Sequence, residues 1–553
     1  MKRFIISTLC VMLVALVHAE RKYDVVVYGS TSAGITAAIQ VARMGKNVLL
    51  ISQTKHLGGV TSSGLGATDI NQCAPIGGLS REFYQRIYQY YENPKVWRNG
   101  KDWAYYAEQL GKHFWKGKDD KLKMQWMFEP HVARKVYDEM LMEAGVKIVF
   151  NERLIWKTGV VKKNNAIVKI KMESGAEYEA KVFIDATYEG DLMAQSGVKY
   201  IVGREKNSQY NETMNGILPG KNAHKSRNKI DPYLKEGDPA SGLLPFIEPK
   251  VPGIKGEGDH RLQAYCYRFT LSKDPKNKRP IEKPGNYNPL WFEHIYRWIK
   301  ANPNITINSI LTLTPLPNDK TDTNHADFVG ANYAWPEGDY KMRDSLAQMH
   351  KDYLLGEMWF LANDERIPAR IKKGMQKWGL AKDEFIDNDN LPYQIYVREA
   401  RRMVSDYVMS ENEVLGKKIA PESVGLATYW FDSHVVCRYV DENGGLCDEG
   451  NFWSVENIYP VSYRSIRPKA DECTNLLVPV CISSSHAAYG SIRMEPVYMV
   501  LGQSAAVAAV LAIEAKTTVQ EVTYTKLKKK LIENKQIVDW QVKRKEINKK
   551  GEQ

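Results

Sequence analysis

YDVVVYGSTSAGITAAIQVARMGKNVLLISQTKHLGG, residues 23–59, reads as a strand, a tight turn, a helix and a second strand. Val25, Val26 and Val27 form the β-branched run of a strand covered on both faces, and the run ends at Gly29. Ile35, Ala38, Ile39 and Ala42 then recur at three- and four-residue spacing, Gly45 closes the helix, and Val48 to Ile51 starts the second strand. In the turn GSTSAG, Gly29 suits a sharp bend and Gly34 a close helix–strand contact, so that the helix-start amides can face a pyrophosphate. Two positions depart from the usual fingerprint. Thr31 stands where a middle glycine would let the backbone approach the phosphate, and Ser52 and Gln53 replace the ribose-binding acid at the end of the second strand. An ordinary buried βαβ unit could carry such a turn. The continuation HLGGVTSSGLGATD, rich in glycine and serine, suits wrapping a bulky cofactor and favours FAD over NAD.

The chain has 553 residues, too many for one simple core, and 43% of them are hydrophobic, which excludes a disordered chain. Lys2 and Arg3, an apolar run from Phe4 to Val17, and Val17-His18-Ala19 have the order of an export signal cleaved after Ala19. The run is too short for a permanent membrane anchor, and Cys10 follows Leu9 rather than a small residue, so a lipid anchor is not expected. The expected location is periplasmic or secreted. No twin-arginine pair is present, which implies cofactor uptake after an unfolded crossing. Cleavage lowers the formal charge of +12 by two, and much of the remaining excess lies in a basic tail from Lys526, read as a solvated amphipathic helix. An exported protein of this kind is not expected to bind nucleic acid. Beyond the leader, Cys73, Cys266, Cys437, Cys447, Cys473 and Cys481 form no CxxC, so no metal site is indicated. Cys437 with Cys447 and Cys473 with Cys481 are the candidate disulfides.

The order along the chain gives a segmented organisation: a signal at 1–19, cofactor-domain parts at 20–76, 124–203 and 463–515, an aromatic helical excursion at 77–123, a substrate or cap domain at 204–462, and the tail at 516–553. EPHVARKVYDEMLMEA (129–144) has helical spacing, and alternating Val168, Ile170 and Met172 mark a β-meander leading into the buried strand KVFIDAT (181–187). The proline-rich middle holds no second dinucleotide fingerprint; GIKGEG (253–258) lacks a preceding strand, so an unknown electron donor or acceptor must reach the flavin directly. Residues 393–409, containing REARRM, are expected as a charged helix whose Arg398, Arg401 and Arg402 make ion pairs. Leu476 to Cys481 reads as a strand, and Pro496 to Ala512 as a helix whose small residues permit close packing.

Three separated blocks, the opening stretch, FIDATYEGDLMAQSGVKYIVGRE and TNLLVPVCISSSHAAYGSIRMEPVYMVLGQSAA, together resemble the bacterial single-chain FAD-dependent oxidoreductase family, whose members often carry export signals. The resemblance implies an α/β fold of glutathione-reductase type: a Rossmann-like FAD-binding domain with a parallel sheet and β-meander, plus an inserted α+β substrate domain. It places Gly29, Ser30, Thr31, Ala33 and Gly34 at the pyrophosphate, and Ser52 and Gln53 at the ribose. His56, Gly58 and Gly59 would lie on the flavin side, with Asp185, Ala186 and Thr187 returning to the cofactor and Gly502, Gln503 and Ala505 closing over it. FAD held non-covalently is implied, although His56 leaves a covalent link open.

Redox chemistry on carbon needs a group that moves a proton as hydride moves. SSHAAYGSIRMEP supplies His486, Tyr489, Arg493 and Glu495, with His486 the leading acid or base because imidazole titrates near neutrality and Arg493 the partner for a developing anion. His434, two residues from Asp432, is the second histidine candidate, and Arg204 could reach a substrate. The expected activity is hydride transfer between flavin and a small polar alcohol, ketone or sugar. The alternatives are reduction of an unsaturated carboxylate, and a non-catalytic glycan-binding protein on a flavin fold. No paired acid and base on a β-rich scaffold supports a polysaccharide lyase.

Overall fold

A computed structural model describes residues 21–110, 117–226, 228–453 and 457–539, so the leader and the last part of the tail lie outside the described residues. Strand β1 (Arg21–Tyr28) runs through the middle of a seven-stranded sheet. It pairs in parallel with β2 (Val48–Ile51), in register Val25 to Val48 and Tyr28 to Ile51, and β2 pairs in parallel with β3 (Lys147–Val149). The hairpin of β4 (Val160–Lys163) and β5 (Ala166–Lys171) leads antiparallel into β6 (Glu177–Asp185), which returns beside β1. The first half of β6 pairs with β5, and its second half, at Phe183 and Ile184, pairs in parallel with the short strand Leu476–Leu477.

Alternation along β1 explains the valine run. Val25 and Val27 belong to the core under helix α1 (Ser32–Arg43), whereas Val26 and Tyr28 belong to a second core with Leu154, Met172 and Phe183. Helix α2 (Gly78–Tyr91) buries Phe83, Tyr84, Ile87 and Tyr91, and α3 (Pro130–Glu143) buries Val136, Tyr137 and Met140. Phe83 and Tyr137 stack with ring centres 4.4 Å apart, so the aromatic excursion packs against its parent domain. After the short helix α4 (His486–Ile492), the long helix α5 (Glu495–Ala515) lies across α1. Its mean hydropathy reaches 1.8, enough by composition to cross a membrane, but 89% of that stretch is buried inside the protein. At the crossing, a β-carbon on Gly502 would stand 2.2 Å from the Ala33 carbonyl oxygen, and Thr36 Oγ1 donates to the Met499 carbonyl at 2.9 Å.

The inserted half contains a five-stranded antiparallel sheet built from β7 (Thr270–Ser272), β8 (Lys278–Arg279), β9 (Leu313–Leu316), β10 (Lys320–Thr323) and β11 (Gly379–Ala381), in the order β8-β11-β7-β10-β9. Buried charges tie this half to the first sheet. Asp191, just after β6, accepts from Arg343 at 2.6 and 2.9 Å and from Arg401 at 2.9 Å.

Several expectations are corrected. The helix across 393–409 is absent; the segment is extended, with only the short strand Arg402–Met403, because its arginines turn to acids in different directions. Arg398 pairs with Asp327, Arg401 with Asp191 and Glu337, and Arg402 with Glu205 and Glu399. All six described cysteines are free. In the hairpin holding two of them, Cys437 stands opposite Glu449 and Cys447 opposite Tyr439, which puts the thiols out of register. Cys481 instead approaches the Thr187 and Tyr188 carbonyls. In the tail, helix Tyr524–Glu533 buries Leu527 and Leu531 beneath its lysines.

Replacing Gly502 with leucine forces a side chain into the α1–α5 crossing, and overpacking of this kind costs about 1–3 kcal/mol. Denaturant unfolding should show a lower midpoint for G502L; an unchanged midpoint would mean that the two helices do not touch there.

Candidate functional site

The turn between β1 and α1 is shaped by what will not fit. Gly29 has a φ of +105°, and a β-carbon on it would meet the Ala186 carbonyl carbon and Thr187 nitrogen at 2.7 Å; one on Gly34 would stand 1.9 Å from the Gly29 oxygen. Thr31 caps α1: its hydroxyl donates to the Ala186 carbonyl at 2.7 Å and accepts from Gly34 N at 3.3 Å. Its polar atom therefore turns toward β6 and leaves the other amides of the first turn without intrahelical acceptors. Gly29, Ser30, Thr31, Gln53, His56 and Gly59 line one cavity together with Thr187 and Tyr188.

Around this cavity, Ser32 Oγ and His56 Nδ1 are buried without an aligned hydrogen bond, although Ser32 lies beside Glu495. Burial drops the His56 imidazole to about 4, so it is neutral, and it stacks on Tyr393 at 4.6 Å while Nε2 meets the Gly59 carbonyl at 3.0 Å. Gly58 N donates to the Ser30 carbonyl at 2.8 Å, which docks the glycine loop onto the turn. Positive helix-start amides and side-chain-free backbone are the features a dinucleotide phosphate requires. Residues 29–34 and 56–59 fit that group.

Other members of the expected cofactor set have local partners. Ser52 is fully buried and shares the His56 carbonyl with Ser30, which lies 2.7 Å from it. Gln53 Nε2 donates to the Tyr28 hydroxyl at 2.9 Å while its side chain still lines the cavity. Asp185 accepts from Thr187 N and Oγ1 and from Met193 N, and burial pushes its carboxyl up to about 6. It organises the loop after β6 and does not face the cavity, whereas Ala186 supplies the carbonyl that holds Thr31. Gly502 and Ala505 are packing positions on α5, and Gln503 caps α2 by accepting from Leu79 N at 2.8 Å and donating to Gln40 at 2.8 Å. These three sit two turns below the N-terminus of α5. Glu495 stands at that N-terminus, accepting from Thr61 of the glycine loop at 2.6 Å and from Tyr188 at 2.8 Å; burial raises its carboxyl.

The residues beside this point form a polar crevice. Arg493, at the end of α4, donates from Nη1 to the Tyr396 hydroxyl at 3.0 Å and from Nη2 to Asp432 at 2.9 Å (carbonyl) and 3.1 Å (carboxylate). Its Nε is buried and unpaired. His434 Nδ1 lies 2.5 Å from Asp327, and Nε2 lies 3.6 Å from Asp432. Side-chain exposure of 27% at Asp432 and 12% at His434, against 1% at Arg493, shows the cluster meeting solvent chiefly at Asp432. Burial would raise the Asp327 and Asp432 carboxyls, but Arg398 and His434 hold Asp327 well below the usual range, and His434 and Arg493 do the same for Asp432. An ionised Asp327 can only accept, so Nδ1 carries a proton toward it, while Nε2 faces the Asp432 carboxylate at 3.6 Å. Asp69 joins the same wall, accepting from the Tyr429 hydroxyl at 3.3 Å, with its carboxyl raised by burial.

His486, the leading sequence candidate, is displaced from that role. It is 1% exposed, its Nδ1 meets Glu399 at 2.7 Å, and its Nε2 faces Ser433 at 3.4 Å. Tyr489 bonds to Tyr498 and the Val480 carbonyl, and Arg204 to Asp259 and Glu449, both inside the core. Asp327, Tyr396 and Asp69 were not singled out from sequence, because no local motif flags a lone acid or tyrosine in the proline-rich middle, the REARRM segment or the glycine-rich loop. Glu129, His131 and Glu384 have the spacing of a metal site, but the Lys320 ammonium lies 2.8 Å from Glu129 and 2.6 Å from Glu384 and already supplies the cation.

A sequence model described as FAD dependent oxidoreductase matches residues 24–531. No functionally curated protein matches the chain. Among solved structures, the chain is similar to 3-ketosteroid-delta4-(5alpha)-dehydrogenase from Rhodococcus jostii RHA1, at 15% identity over 39% of this chain and 62% of that one, with a TM-score of 0.23. It is also similar to L-amino acid deaminase from Proteus vulgaris, at 15% over 36% and 55% with a TM-score of 0.23. A third is THI4 from Thermovibrio ammonificans, at 16% over 34% and 67% with a TM-score of 0.22. The chain thus spans less than two thirds of the first two.

The buried His486–Glu399 pair makes an acid-limb prediction. Burial alone would raise Glu399, but His486 and Arg402 hold it at about 2 against an ordinary 4.5. A depressed carboxyl contributes stability that is complete above its unfolded value and is lost as pH falls toward about 2. Urea midpoints measured from pH 5 to 2 should fall less steeply in Glu399→Gln than in the parent; parallel curves would refute the pairing.

Proposed function

The chain belongs to the FAD dependent oxidoreductase family, with FAD as its cofactor, and from that premise we propose that it exchanges a hydride with a small polar alcohol, ketone or sugar carbon. Bound FAD supplies a two-electron acceptor or donor. Residues 29–34 and the 56–59 loop would hold its phosphates and the adjoining atoms. The observation that carries the reading is His434, fixed by Asp327 through Nδ1 and reaching the partly exposed Asp432 carboxylate with Nε2, where the Arg493 guanidinium at the end of α4 also binds. In oxidation, Nε2 would take the hydroxyl proton as the carbon loses hydride; in reduction it would return it. Arg493 would orient the substrate oxygen while the proton moves.

Electrostatics favour hydroxyl over carboxylate. Arg493 is already paired with Asp432, and Asp327 and Asp69 lie on the same wall, so an incoming carboxylate would meet acids before it met a free cation. Hydroxyl groups can donate to those same acids. The unsaturated-carboxylate reading is correspondingly weaker. With no second dinucleotide fingerprint in the sequence, the reading has the electron partner, small molecule or protein, meeting the flavin directly.

The purified protein should be yellow, and a panel of sugars and alcohols should bleach it anaerobically. His434→Gln should slow that bleaching by about 10²- to 10⁴-fold while leaving the oxidised spectrum intact. An undiminished rate would remove His434 from the chemistry. The basic, apolar and small-residue order of residues 1–19 supports action outside the cytoplasm; intact-mass measurement of the protein from its host should find a chain starting at Glu20, and a retained leader would contradict this.

A further inference from the structure

Strands Asp432–Ser433 and Phe452–Trp453 form an antiparallel pair in which Asp432 faces Trp453 and Ser433 faces Phe452. Opposed residues in such a ladder project to the same side, and the side alternates with each residue. Ser433 and Phe452 point inward. Both are buried, Ser433 Oγ is 3.4 Å from His486 Nε2, and the Phe452 ring lies 6.1 Å from that of His486. Asp432 and Trp453 therefore share the opposite side, where the Asp432 carboxylate meets Arg493 and His434.

Trp453 is 66% exposed, the most exposed aromatic among the described residues, and stands one side chain from the reacting crevice. Isolated exposed apolar residues are common on protein surfaces. Two features set this one apart. It is the register partner of Asp432, and Lys225 Nζ lies 4.5 Å from its ring centre. Lys225 and the preceding His224 have φ values of 52° and 56°, so the ammonium is presented by two successive residues in left-handed backbone, an arrangement that costs energy and persists where the surroundings impose it. With Lys225 over one face, the exposure leaves the other face of the indole to solvent.

We propose that Trp453 and Lys225 form an outer subsite for the second ring of a saccharide whose reacting ring occupies the Asp432–His434–Arg493 crevice. This rests on the sugar reading of the proposed function and extends it from a single ring to a linked pair. The C–H face of a pyranose stacks on the open indole face, and the lysine donates to ring hydroxyls at the edge. Asp432 then lies at the junction of the two positions.

The test uses the flavin-loaded full chain and calorimetric titration with glucose and galactose against cellobiose and lactose. A disaccharide should bind about tenfold more tightly than its monosaccharide. Trp453→Ala should abolish that advantage, leave monosaccharide affinity within about twofold and leave the flavin spectrum unchanged, while Trp453→Phe should restore part of it. The subsite is overturned if neither disaccharide binds more tightly than its monosaccharide, or if the ratio survives in Trp453→Ala. Disaccharide binding that depends on Trp453 without any sugar bleaching the flavin would uphold the subsite and sink the oxidation reading instead.

Discussion

There is no room for a β-carbon where the first strand turns into the first helix, and the arrangement of the cofactor half follows from that exclusion. With Gly34 pressed on the Gly29 carbonyl and Gly29 against Ala186 and Thr187, the start of α1 is driven into the notch between β1 and β6. Thr31 closes the notch by bonding to Ala186, so a residue that departs from the fingerprint strengthens the joint the fingerprint exists to make. Because α1 is fixed, α5 can cross it at Gly502, and that crossing sets where the N-terminus of α5 emerges. Glu495 and Arg493 occupy that end, one turned to the glycine loop and the other to the crevice.

The crevice wall comes from the inserted half, and buried charge aligns the two. Asp191 gathers Arg343 and Arg401 across the two halves, while within the inserted half Asp322 holds Arg268 and Asp327 holds Arg398 and orients His434. Such pairs add little net stability compared with apolar packing, but removing one partner strands a charge out of water, which is far more costly. The Asp191 cluster acts as a registration mark between the two halves. Asp327 illustrates the coupling, since the arginine that lowers its carboxyl also keeps it an obligate acceptor for the histidine.

Legibility in the sequence followed the range of the interactions. The βαβ unit, KVFIDAT and the apolar helix after Glu495 were readable because their periodicity is local and their packing faces are continuous. The segment around REARRM misled for the same reason: arginines three and four apart imitate a helical face, whereas here each is drawn to a distant acid by an extended chain. His486 and His434 could not be ranked from composition, since what separates them is that one has both nitrogens inside the core and the other reaches solvent. Asp69, Asp327 and Tyr396 carried no signal at all, because their crevice partners Tyr429, His434 and Arg493 lie 360, 107 and 97 positions away. The apparent defects at Thr31 and Ser52 were visible, but their compensation by Ala186, Ser30 and His56 was not.

The partnership of α1 with α5 spans almost the whole length of the polypeptide: Thr36 bonds to Met499, 463 positions later, and Leu476–Leu477 completes the sheet that β1 begins. While the chain emerges from the ribosome, the apolar face of α1 must wait for a partner that has yet to be synthesised, and closing so distant a contact is entropically slow. The nascent protein therefore exposes a sticky half-core for most of its synthesis, a natural substrate for holding chaperones.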